Sequence, residues 1–150
     1  MHSNLARAAV MRNSPTIRVE KQSTAALNLY RYFLDVAADN DGKYYVFASW
    51  KTQARYLGYR LPDDGYLDYI STSLEQERKD KRNAMMAVYR AQAVLERIGL
   101  IKTIEPSQIT TRTRKGKSKK MQVYLSINGL HDDEISSATE TDYSEQYGRV

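Results

Sequence analysis

The sequence predicts an α+β fold: a three-helix core, one extra inserted helix and a C-terminal β-hairpin. Three observations predict it. Residues 83–98 place Ala84, Ala87, Val88, Ala91, Val94, Leu95 and Ile98 at the spacing of a helix with one apolar stripe. Residues 43–49, KYYVFAS, are dense in aromatic and β-branched side chains, the composition of a strand. Met121, Val123, Leu125 and Ile127 alternate with Gln122, Tyr124 and Ser126, the period of a strand with one apolar face. A chain of 150 residues, 41% of them hydrophobic, can bury one core.

In chain order, residues 1–22 have weak periodicity and a break at Ser14-Pro15, so a mobile basic arm is expected there. Ser23 or Thr24 can cap a helix over 25–38 with Ala26, Leu29, Tyr30, Phe33 and Ala37 on its inner face. Asp39-Asn40-Asp41-Gly42 turns the chain into the strand at 43–49. Ser49 can cap a short helix over 50–57, with Ala54 and Leu57 inward and Gly58 at its end. YRLPDDGY, residues 59–66, reads as a loop, and a helix with Leu67, Ile70 and Leu74 as its stripe is expected from about residue 66. The long helix follows and stops at Gly99. Residues 101–112 support a strand with Pro106 as a bulge or edge feature, and 121–127 form the returning strand. Residues 128–150 are polar and acidic and are expected to be disordered. The domain therefore spans 23–127, between arm and tail.

Charge is distributed unevenly. Residues 1–22 carry a net +3 and residues 128–150 a net −5, so the body at 23–127 carries +7. Six of the nine residues at 112–120 are basic and none is acidic. Such a body suits a polyanionic partner. Arg78, Lys79 and Lys81, by contrast, are interleaved with Glu75, Glu77 and Asp80 and read as a self-paired helical surface. Twelve tyrosines against two phenylalanines imply many half-exposed aromatic rings.

Several function classes are disfavoured. Without cysteine there is no disulfide, thiolate metal site or cysteine nucleophile. The two histidines, His2 and His131, fall in the expected arm and tail, which argues against a metal site and a Ser-His-Asp triad. No phosphate-cradling glycine pattern occurs, and Asp63-Asp64 and Asp132-Asp133 read as loop or tail residues that solvate the chain. The expectation is a protein that is not an enzyme and takes no cofactor or metal. The N-terminus lacks an apolar leader and no run approaches the ~18 apolar residues of a membrane span. A cytoplasmic setting is expected.

Three stretches then carry a family resemblance. SWKTQARYLG (49–58), RNAMMAVYRAQAVLERIGLI (82–101) and TRTRKGKSKKMQVYLSI (111–127) resemble, in that order, the first motif helix, the recognition helix and the wing of a winged helix-turn-helix domain. The nearest kinds are phage- and plasmid-encoded replication initiators and small regulators. Residues 59–82 depart from the simplest members, either as an inserted helix or as an N-terminal extension of the recognition helix.

The resemblance implies double-stranded DNA binding, most simply by a sequence-specific transcriptional regulator acting as a homodimer. The long helix would enter the major groove through Arg82, Asn83, Met86, Tyr89, Arg90 and Ala93. The wing would hold backbone or minor groove through Arg112, Arg114, Lys115, Lys117, Lys119 and Lys120. Ser49, Lys51, Thr52, Arg55 and Arg60 are candidates for backbone contact. Two alternatives stand beside it: a replication-initiation or phage or plasmid maintenance factor, with the acidic tail or the 59–82 insertion as a protein-binding surface, and a pure protein-interaction module.

Overall fold

The structure, a computed structural model, describes residues 3–64, 69–70, 73–104 and 120–130. Its elements run α1 (Ser3–Arg18), α2 (Ser23–Val36), β1 (Ala38–Asn40), β2 (Lys43–Phe47), α3 (Trp50–Tyr56), α4 (Leu74–Arg97), β3 (Ile101–Ile104) and β4 (Lys120–Val123). The four strands form one antiparallel sheet in the order β1-β2-β4-β3. Helices and sheet share one core, so the class is α+β.

The alternation of β2 and β4 decides which side of the sheet meets the helices. Val46 pairs with Met121, and Val123 pairs with both Tyr44 and Ile101. Val46, Met121, Val123 and Ile101 are all buried, in one cluster with Leu29, Tyr30, Phe33 and Leu34 of α2 and Val94 and Leu95 of α4. The helices therefore lie on one side of the sheet, and the side chains between these positions point away from them. A second cluster, Ala54, Leu61, Ala84 and Val88, joins α3 to α4, with Trp50 against it and Leu57 touching both clusters.

Asp41 and Gly42 make a two-residue hairpin between β1 and β2, with φ of 54° and 80°. Two successive left-handed residues match the twist of the flanking strands, and Asp-Gly is a sequence that tolerates them. Gly99 has φ of 85°, and a Cβ there would lie 2.3 Å from Asn128 Oδ1. That glycine both ends α4 and lets the segment after β4 cross beneath it.

Four expectations are corrected. Residues 3–18 of the expected mobile arm are helix α1, which buries Ala6, Ala9, Asn13, Ser14 and Ile17. Asn13 Nδ2 lies within hydrogen-bonding distance of Ala9 O (2.9 Å), Tyr30 Oη (3.1 Å) and Leu125 O (2.9 Å), while the Tyr30 hydroxyl donates to Tyr124 O at 2.6 Å. This buried network fastens α1 to α2 and to the end of the sheet. It helps offset the roughly 3 kcal/mol that Pro15 costs within the helix.

The second correction concerns 59–82. Residues 74–82 are the first turns of α4, the N-terminal extension of the two alternatives, and among the described residues the span holds a single 3-10 turn at Pro62–Asp64 in place of an inserted α-helix. Of its expected stripe, Ile70 and Leu74 are 74% and 62% exposed, and Leu67 lies outside the described residues. Third, Gln22 rather than Ser23 or Thr24 occupies the cap position of α2, in left-handed conformation and without a side-chain cap. Fourth, the return strand ends at Val123 although Leu125 and Ser126 are also buried, and residues 128–130 of the expected tail are folded by bonds from Asn128 N to Gly99 O and Leu130 N to Ile127 O. Residues 131–150 and 105–119 lie outside the described residues.

Candidate nucleic-acid interface

Helix α4 starts at Ser73, whose Oγ accepts from Gln76 N at 3.1 Å. Glu75 and Glu77 in the first turn and Arg97 in the last complement the helix dipole. Its buried residues are Ala84, Val88, Ala91, Val94 and Leu95. At about 100° per residue, Arg82, Met86, Tyr89 and Ala93 gather on the opposite side, with Asn83 and Arg90 on one flank. All six are exposed, Met86 and Tyr89 at 38%. The structure thus brings the six helix candidates onto one accessible surface.

Helix α3 sets the height of α4 through small residues and one amide. Gln53 is 1% exposed; its Nε2 donates to Ala48 O at 3.0 Å and its Oε1 accepts from Gln92 Nε2 at 2.7 Å. Ala54 meets Ala84 and Val88 in one buried cluster, with Leu61 completing it and Trp50 and Leu57 packed against it.

The backbone candidates around α3 are mostly engaged within the protein. Ser49 Oγ accepts from Thr52 N at 3.2 Å, and the two hydroxyls lie 3.0 Å apart. Lys51 pairs with Asp63, and Arg55 Nε donates to Asp64 Oδ1. Asp64 Oδ2 also accepts from Leu61 N at 2.7 Å. The Lys51 ammonium holds the Asp63 carboxyl below its ordinary range, and the Leu61 amide, aided by Arg55, does the same for Asp64. Arg60 is exposed. A phosphate reaching Lys51 or Arg55 would have to displace an aspartate. Asp63 and Asp64, read from sequence as solvating loop residues, are instead the clamp that ties this turn to α3. No periodic signal announces pairs twelve and nine residues apart.

The hairpin cations divide. Arg112, Arg114, Lys115, Lys117 and Lys119 lie outside the described residues. Lys120 opens β4, with its Nζ 4.1 Å from the Tyr45 ring centroid and 5.6 Å from that of Phe47. It therefore projects from the sheet face turned away from α4 and is not brought together with the α4 candidates.

A feature that sequence reading missed adjoins the C-terminal end of α4. The link between α1 and α2 forms an open groove of about 610 Å³ with α4, lined by Glu20, Lys21 and Gln22 on one side and Arg90, Ala93 and Arg97 on the other. Arg97 pairs with Glu20 across it. The link thus sits beside two of the candidate contact residues, Arg90 and Ala93.

Among the described residues, no helix is long and apolar enough to cross a membrane. Comparisons with protein-family models, with curated proteins and with solved structures give no match.

Proposed function

We propose that the chain binds double-stranded DNA as a winged helix-turn-helix regulator, with α4 as its recognition helix. The observation that carries this reading is the two-sidedness of α4: one face locked in the core, the other accessible and bearing Arg82, Met86, Tyr89, Arg90 and Ala93. A major groove about 12 Å wide admits such a helix. The strand arrangement adds support. Ile104 and Lys120 are cross-strand partners, so the ends of the segment carrying Arg112, Arg114, Lys115, Lys117 and Lys119 are held side by side. Its five cations are thereby tethered to a hairpin that starts immediately after α4.

In this reading Arg82 and Arg90 donate to guanine edges or phosphates, and Ala93 permits close approach. The hairpin cations neutralise phosphates without reading sequence. The test is selection from random duplexes by mobility shift, followed by titration at several salt concentrations. Replacing the five hairpin cations with glutamine should weaken all duplexes alike and flatten the log–log salt slope by about 0.9 per lost phosphate contact. Arg82→Ala should alter base preference at one position by about 1–3 kcal/mol. Absence of salt-dependent duplex binding by the intact chain would refute the reading.

A replication or maintenance factor built on the same body is a second reading, favoured by the exposure of Ile70 and Leu74 beside the start of α4. It requires a protein partner there. Ile70→Ser with Leu74→Ser should then abolish recruitment of that partner while duplex affinity stays intact.

A further inference from the structure

The side of the sheet turned away from the helices has a composition that the duplex reading does not use. On β2 the outward positions are Lys43, Tyr45 and Phe47. Gln122 stands opposite Tyr45 and Lys102 opposite Gln122, while Lys120 stands opposite Phe47. Strands β2, β3 and β4 contain three lysines and no carboxylate. Phe47 is 52% exposed although β2 is an interior strand of the sheet, flanked by β1 and β4.

We propose that this outer sheet face is a binding site for single-stranded nucleic acid, stacking unpaired bases on Phe47 and Tyr45 and neutralising their phosphates with Lys120, Lys102 and Lys43. Aromatic rings on a cationic surface are the chemistry that holds single strands, because every base has a face to stack while its backbone needs only charge. Tyr45 and Phe47 are alternate residues of one strand, so their Cα atoms lie about 6.7 Å apart, a separation that successive nucleotides of an extended strand can follow. Lys120 sits over both rings and supplies the exchange. As a base stacks, the ammonium moves from the ring faces to the adjoining phosphate, trading a cation–π contact for an ion pair.

Two other occupants fit less well. The bases of a duplex are already stacked on each other, and a broad sheet face does not enter a groove as a helix does. A second copy of the chain would bring three further lysines against these three. Lysine is also depleted from the cores of protein–protein interfaces, whereas Lys120 stands directly beside Phe47, the most exposed ring of this face.

The experiment measures anisotropy of a labelled oligothymidine and of a labelled duplex with the full chain, alongside its mass in solution. Oligothymidine should bind, and Phe47→Ala should weaken it about tenfold. Phe47→Trp should preserve binding, and duplex affinity should not change in Phe47→Ala. Lys120→Gln, at an exposed sheet surface, is the second variant and should flatten the single-strand salt slope by about 0.7. Failure to bind oligothymidine, or equal binding by the parent and Phe47→Ala, would overturn the proposal. So would a homodimer that Phe47→Ala dissolves, since the face would then be a protein interface. Loss of duplex binding alone would sink the regulator reading and leave this one standing.

Discussion

Residues 74–82 and 83–97 belong to one helix, yet the second stretch buries Ala84, Val88, Ala91, Val94 and Leu95 while the first buries nothing. The first stretch is held by local terms. Ser73 caps it, Gln76 Nε2 donates to Asp80 Oδ1 at 2.7 Å, and Glu75 and Glu77 stand four residues before Lys79 and Lys81. The Tyr69 hydroxyl donates to Asp80 Oδ2 at 2.7 Å, and this bond to a carboxylate pushes the phenol up to about 12. The second stretch is held by tertiary burial. A continuous helix can therefore join a rigid body to a protrusion whose stability is set separately.

The largest expected effect comes from breaking the anchored half. Leu95→Ala should lower global stability by about 2–5 kcal/mol, read from denaturant titration, because the cavity opens where α4 meets α2 and the sheet. In the unanchored half, Lys79→Gly should cost about 1 kcal/mol and only locally. Amides of residues 75–82 should exchange faster while the denaturation midpoint of the body hardly moves. Equal global losses in the two variants would show that the halves unfold together.

The smallest effect concerns the turn that precedes α4, which is held largely by charge. Asp63 and Asp64 have lowered carboxyl pKa values, so they bind protons less readily folded than unfolded. The stability they add is complete above the ordinary carboxylate pKa of about 4 and is lost as pH falls through their lower folded values. Asp63→Asn with Asp64→Asn should flatten the acid limb of a stability–pH curve below about pH 4. An unchanged limb would assign that limb to other carboxylates.

Much of the body was legible because its elements carry strong periods and end signals. The inner face of α2, the strand β2, the Ser49 cap and the stripe of α4 stand where sequence placed them. The accessible α4 face followed as the complement of that stripe. Helix α1 was not legible: its buried face is Ala6, Ala9, Asn13, Ser14 and Ile17, two methyl groups, an amide and a hydroxyl among five residues, which gives little hydropathy contrast. Ile70 and Leu74 misled in the other direction, since helical spacing reveals an apolar face but not whether anything packs against it. The Lys51–Asp63 and Arg55–Asp64 pairs and the direction of Lys120 were also out of reach. Each depends on where a loop or a strand register places residues distant in sequence.

By itself, then, the sequence determined the α+β class, the places of α2, β2 and α3 along the chain and which face of α4 is apolar, but not strand β1 at Ala38–Asn40, where the end of a helix and a turn are expected. Those properties are local: they follow from side-chain period, turn residues and caps. Tertiary structure decided that residues 3–18 join the core, that α4 begins at Leu74, and that Lys120 lies with Tyr45 and Phe47 on the outer sheet face. Those properties depend on which distant surfaces meet, and a buried amide such as Asn13 becomes favourable only once Tyr30 and Leu125 surround it.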